Sequence, residues 1–194
     1  MPRVPATERR RQLVEAAFRV AARDGFGALT TRAVCAEAGA PLAIFHYCFA
    51  SKQELLAELT EQTMSALFDP SRVELGPDVR SSLRAVLRAY WSTVQEEPQR
   101  EPVLMALTQH ALHEPGLEQI AVRQYEAYHR TARAALELIA ETCAVTWTLP
   151  LPRLARMMVA VTDGVTLAWL VDRDSAAALE ALDSFADTLA AHTL

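Results

Sequence analysis

The 194-residue chain is poor in the features that mark several protein classes. Its three cysteines, Cys35, Cys48 and Cys143, are odd in number and far apart. That excludes a disulfide framework and a zinc knuckle and fits a reducing interior. Glycine and proline are sparse and fall at boundaries, and no stretch alternates Val, Ile and Thr with polar residues. Strands are therefore not expected, and the chain reads as all-α. No charged-then-apolar leader opens it. The longest apolar run, Met157 to Val171, is short for a bilayer span and is broken by Asp163 and Gly164, so no membrane partner and a cytoplasmic location are expected. No HExxH pattern, serine elbow, phosphate loop or dinucleotide glycine pattern appears. No catalytic residue, cofactor or metal site is assigned.

What is present is apolar content and helical spacing. Half the residues are apolar, ample for a core, and they recur every three or four positions. Thr7 is expected to cap a helix running to Arg23, Thr30 a second helix ended by Gly39, and Ser51 a fourth running to Phe68; Pro41 opens the third. The break "DPSRVELGPD", Asp69 to Asp78, separates these from long helices expected at 79–96, 101–113, 116–143, 151–172 and 175–191. The expected domains are residues 1–55 and 69–194, linked by the helix at 51–68.

Charge divides at the same place. Residues 1–52 carry eight basic side chains against four acidic, net +4; residues 53–194 carry eleven against twenty, net −9. A basic head on an acidic body suggests that the head alone meets a polyanion.

Two short helices joined through Gly39, with another packed before them, form a helix-turn-helix arrangement. On the second of the pair, a step of 100° per residue puts Phe45, Cys48 and Phe49 on the inner side. Ala43, His46 and Tyr47 fall on the outer side, with Leu42 and Ile44 flanking. An outward imidazole and phenol suit phosphates and base edges. Lys52 is a point charge for the backbone, and Thr31 and Arg32 reach the same groove from the preceding helix. The plain alternative is a three-helix subdomain whose aromatics only pack.

The stretch "LTTRAVCAEAGAPLAIFHYCFASKQELL" resembles the DNA-binding segment of the TetR family of transcriptional repressors. The matching elements are Thr30-Thr31-Arg32, Ala38-Gly39, Phe45-His46-Tyr47, Phe49, and Ser51-Lys52 followed by Glu54-Leu55-Leu56. The resemblance implies a dimeric repressor that binds double-stranded operator DNA and answers to a small organic effector. Its DNA contacts would come from Thr30, Thr31, Arg32, Pro41, Leu42, Ala43, Ile44, His46, Tyr47 and Lys52. Three positions depart from the family pattern. His46 stands where tyrosine is usual, Cys48 where a phosphate-contacting tyrosine or histidine is common, and Pro41 where serine is usual.

The remainder matches that family in outline. Dimer residues are expected on the last two helices, at Met157, Val161, Val165, Leu182, Phe185 and Leu189, as a two-fold four-helix bundle. The alternative is that both stripes face their own core. An effector pocket is expected from Trp91, Met105, Thr108, Gln109, Tyr125, Tyr128, Met158 and Trp169, large apolar groups with a few polar ones among them. Asp163, an acid inside an apolar helix, needs a partner: a helix cap, a group across a dimer, or a cationic effector. His110, His113 and Glu114 invite a metal reading but supply too few ligands for a closed site. The runner-up function is a helical small-molecule-binding or metal-dependent enzyme without DNA binding.

Overall fold

The computed structural model describes residues 5–65 and 68–194. Among them are nine α-helices and no named strand: α1 (Ala6–Asp24), α2 (Thr31–Glu37), α3 (Leu42–Cys48), α4 (Lys52–Ser65), α5 (Val79–Glu96), α6 (Arg100–His113), α7 (Glu118–Cys143), α8 (Leu151–Asp172) and α9 (Ser175–Ala190). Local chemistry sets the ends. Thr30 Oγ1 accepts from the Ala33 N–H at 3.1 Å, and Ser51 Oγ from the Glu54 N–H at 3.2 Å. Gly39, at φ +61°, supplies the left-handed turn after α2. Asp78 and Ser81 close a reciprocal capping box on α5. Thr7 does not cap α1, because the helix already begins at Ala6 behind Pro5. The α4 helix ends before Phe68, which is not helical; residues 66–67 lie outside the described residues.

The chain folds into two compact units: one division falls at 66/67, just before the break beginning at Asp69, and a later segment, Gln99–Gln124, joins the first unit. One unit comprises Met1–Ala66 and Gln99–Gln124; the other comprises Leu67–Pro98 and Tyr125–Leu194. In the first, Leu13, Ala17 and Val20 of α1 pack with Val34, Phe45, Phe49, Leu55 and Leu59, and α6 adds Val103, Leu107 and Ala111. The helix-turn-helix therefore rests on a core that includes a helix from far along the chain, which sequence distance conceals.

In the second unit, Leu83, Leu87 and Trp91 of α5 pack with Leu136 and Ile139 of α7, Leu154 and Met158 of α8, and Leu182 and Leu189 of α9. Ion pairs bind α5 to α9 at the rim: Arg84 to Asp187 at 2.8 Å and Arg88 to Asp183. A short closing contact pairs Trp147 with Thr193 in antiparallel fashion. Leu182 and Leu189 are wholly buried in their own unit, which corrects their assignment to a face awaiting a partner. The α9 stripe containing them is core. Met157, Val161, Val165 and Phe185 are half-buried.

The α8 helix has both the length and the hydropathy of a membrane span, with a mean hydropathy of 1.5 over 18 residues. It buries Leu154, Ala155, Met158, Val159, Thr166 and Trp169 in the unit's core. Its outward face, Ala160, Gly164, Leu167, Ala168 and Val171, is exposed and uncharged.

Candidate nucleic-acid interface

The seven residues of α3 divide cleanly. Phe45 is 1% exposed, and Phe49 just beyond the helix is equally buried; Tyr47 is 65% exposed and His46 is exposed beside it. Burying two phenyl rings fixes the helix's rotation, because either ring left in water would forfeit about 2–3 kcal/mol of transfer free energy. Once the rings point inward, the imidazole and phenol must point out. Pro41, Leu42 and Ala43 are exposed on the same side, and Ile44 is half-buried against the core. Cys48 is buried, and burial pushes its thiol pKa up, so it is a core residue and offers nothing to a phosphate.

The C-terminal end of α3 is held by Arg10. Its guanidinium donates to the Cys48 carbonyl, pairs with Glu54 at 2.9 Å and with Glu58, and stacks 4.3 Å from the centroid of Phe49. Glu54 also accepts from the Ala50 N–H at 2.8 Å, and this bond and then the Arg10 bond hold its carboxyl pKa below the ordinary range. Arg10 thus fixes the α3–α4 joint and is committed there.

Other cations of the head are committed in the same way. Arg11 pairs with Glu8 and Glu15, Arg19 with Glu37, and Arg23 with Asp24 and Glu37. Arg32 and Lys52 make no ion pair among the described residues. Lys52 is the chain's single lysine. The net +4 of the head therefore understates its organisation: four of its arginines are held by acids, Arg9 bonds the Gln12 amide, and Arg32 and Lys52, on either side of α3 in the chain, are unopposed among the described residues. Thr30 spends its hydroxyl as the α2 cap, and Thr31 sits half-buried at the first position of that helix.

The expected effector residues do not gather in one unit. Met105, Thr108 and Gln109 belong to the first; Trp91, Tyr125, Tyr128, Met158 and Trp169 belong to the second. Thr108 donates to Gln124 Oε1 at 3.0 Å, and the Gln109 carbonyl accepts from the His113 ring at 2.7 Å. His110 stacks on Phe26 at 5.0 Å. Both histidines of the suggested metal pair are thereby accounted for, and the described residues contain no metal-competent cluster.

In the second unit Trp91 and Trp169 meet edge to face at 5.4 Å. Trp169 Nε1 donates to Ser175 Oγ, whereas the Trp91 indole N–H is buried without an acceptor. Asp163, whose partner the sequence left open, accepts from the Tyr125 phenol at 2.8 Å. Burial raises the Asp163 pKa; burial first, and then the carboxylate, push the phenol to about 12.

Comparison with known proteins agrees with this geometry. Residues 13–59 match the family described as bacterial regulatory proteins, tetR family. Residues 79–192, more than half the chain, match the C-terminal region of BetI-type transcriptional repressors. The chain is similar to the HTH-type nicotine-responsive transcriptional repressor HdnoR of Paenarthrobacter nicotinovorans, 28% identical over 174 residues and 88% of each chain. Its fold is shared with a transcriptional regulator from Rhodococcus sp. Rha1, at TM-score 0.76 and 21% identity over 95% of this chain and 97% of that one. It is also similar to the multidrug binding protein EbrR complexed with imidazole, at TM-score 0.63 and 25% identity over 90% and 92%. The chain belongs to the TetR family of transcriptional regulators, with a BetI-type repressor C-terminal region, and it is not an enzyme.

Proposed function

We propose that this regulator binds a palindromic operator as a cytoplasmic homodimer, laying α3 in the major groove of each half-site. The observation that carries the reading is the outward His46 and Tyr47 flanked in the chain by Arg32 and Lys52, two cations with no acid partner among the described residues. Tyr47, Thr31, Arg32 and Lys52 would contact phosphates and fix register. His46 would reach a base edge, with Pro41, Leu42, Ala43 and Ile44 pressing on thymine methyl groups. Thr30 would contribute its backbone and methyl group.

The dimer would form through α8 and α9. Here the outward stripe of Ala160, Gly164, Leu167, Ala168 and Val171 supplements the half-buried Met157, Val161, Val165 and Phe185. Small residues let two helices approach closely, and a second copy would cover a face too apolar to leave in water.

Residues 69–194 would house the effector site. HdnoR is named for its response to nicotine, and the EbrR structure holds imidazole; both suit the reading of a small organic effector here. The buried, unpaired Trp91 N–H offers such a molecule a donor, since leaving it unmet costs about 1–3 kcal/mol. The effector would act by binding one dimer geometry better than another, shifting the separation of the two α3 helices.

The test is fluorescence anisotropy with duplexes taken from the region flanking the protein's own coding sequence, combined with amine-reactive acylation of the single lysine. Specific binding should appear, and bound duplex should shield Lys52. Acylation unaffected by a bound duplex would remove Lys52 from the interface, and no affinity for any duplex at low salt would refute the regulator reading for this α3 face.

A further inference from the structure

Asp163 remains unexplained by any core or interface role, and its surroundings point to a ligand. It lies in the middle of α8, where the backbone N–H groups are already used within the helix, so it caps nothing. Its one hydrogen bond runs from the Tyr125 phenol to Oδ2; Oδ1 has no partner, and no lysine or arginine pairs with it among the described residues. A half-buried carboxylate with one free oxygen and no lysine or arginine partner, favoured only by the Tyr125 bond and the charge of the nearby His129, is an expensive arrangement to keep. Its tyrosine partner has aromatic neighbours of its own. Tyr125 meets Tyr128 at 5.5 Å and 67°, and His129 at 6.2 Å and 63°. A carboxylate bonded to one member of an aromatic cluster is a setting in which an organic cation is held, by charge on one side and ring quadrupoles on the other.

We propose that Asp163, Tyr125, Tyr128 and His129 form the recognition site for a protonated organic amine, whose ammonium meets Asp163 Oδ1 against the tyrosine rings. This deepens the effector reading above and rests on it. Neighbouring groups limit what the rest of the ligand can be. His129 also lines a cavity of about 330 Å³ shared with Glu126, Arg130, Arg133, Pro152, Ala155 and Arg156. Arg133 is paired with Glu137 at 2.8 Å, while Arg130 and Arg156 have no acid partner among the described residues. A second positive charge directed there would be repelled, so the ligand carries one cationic end, and its remainder is neutral or acidic. A metal ion is a poor fit, because one carboxylate and one phenol leave most of a coordination sphere unfilled.

The experiment titrates the full-length protein, without DNA, with phenethylammonium chloride and with 2-phenylethanol, which has the same ring and chain but no charge. Calorimetry and thermal shift are the readouts. The amine should bind at least about tenfold more tightly than the alcohol, the ratio expected when a site's charged acceptor is met by one ligand and left unmet by the other. Asp163→Asn should reduce the amine to the level of the alcohol, while Tyr125→Phe, which keeps the ring, should retain binding within about threefold. Equal binding of amine and alcohol by the native protein, or no amine binding at all, would overturn the proposal whatever the variants do. So would an Asp163→Asn protein that binds the amine unchanged. If the same substitution instead splits a dimer, as light scattering would reveal, Asp163 serves the subunit contact and the proposal fails. Duplex binding measured separately by anisotropy keeps the two readings apart: amine binding without duplex affinity would sink the regulator reading alone, and duplex affinity without amine binding would sink this one alone.

Discussion

Two helices, α3 and α8, each have a buried aromatic side and an exposed side, yet their exposed sides differ in kind. The short α3 turns out an imidazole and a phenol with unpaired cations close by. The long α8 turns out Ala160, Gly164, Leu167, Ala168 and Val171, the last two large ones 55% and 83% exposed for Leu167 and Val171. The first surface has hydrogen-bonding groups and positive charge, which suits a polyanion. The second has neither, and suits a protein surface like itself. The difference teaches that exposure alone says little; the chemistry of what is left exposed names the class of partner.

The inner sides can be broken first. Phe45→Ala removes a fully buried ring from the first unit, and a loss of about 3–5 kcal/mol is expected. Urea denaturation followed by far-UV circular dichroism would measure it. All three tryptophans, Trp91, Trp147 and Trp169, lie in the second unit, so their fluorescence tells whether that unit unfolds along with the first.

The outer side of α8 is sharpened by Gly164→Arg. A β-carbon added at Gly164 meets nothing within 4 Å, so the protomer accommodates the side chain. Replacing glycine within a helix also favours the helix by roughly 0.5–1 kcal/mol. The variant should therefore keep its helical signal and lose its dimer, read as a halved mass by light scattering. A folded dimer would move the interface away from this stripe.

The outer side of α3 is tested by Tyr47→Phe, which removes one exposed hydroxyl and leaves the fold alone. Duplex affinity should fall about three- to tenfold, the net worth of one ordinary solvent-exposed hydrogen bond. Anisotropy titration at fixed salt would measure the loss.

The smallest expected effect is on pH dependence. Arg19 and then Arg23 hold the Glu37 carboxyl below its ordinary value of 4.5, and the Ala50 N–H and Arg10 do the same for Glu54. A carboxylate with a depressed folded pKa contributes stability that is fully present above the unfolded value and is lost as pH falls through the folded one. The contribution of these two carboxylates to the melting temperature should thus be full above about pH 5 and decline below about 4.5. High salt should weaken the decline, because both groups are open to solvent.

Much of this was legible in the sequence, because it was local. Thr30, Gly39 and Ser51 mark helix ends through their own chemistry, and the spacing of Phe45, Cys48 and Phe49 dictates which way α3 faces. The spans of α5 and α8 follow from prolines and capping residues next to them. What was not legible depended on pairing across long sequence distances. Nothing near Arg10 announces that it belongs to Glu54 and Glu58, so a count of charges could not separate structural arginines from free ones. The packing of α6 into the first unit is hidden in the same way, as is the Tyr125–Asp163 bond. The apolar stripe of α9 was ambiguous by nature, since periodicity marks a face that is covered without saying by what. The structure assigns Leu182 and Leu189 to their own core.

The central claim is that Lys52 and Arg32, which no acid holds among the described residues, serve a duplex beside an outward α3. Its most direct test is the salt dependence of duplex binding by Lys52→Ala and the native protein. Removing one phosphate contact should weaken every duplex alike and reduce the slope of log K against log salt by about 0.9. A variant with native affinity and an unchanged slope would contradict the account.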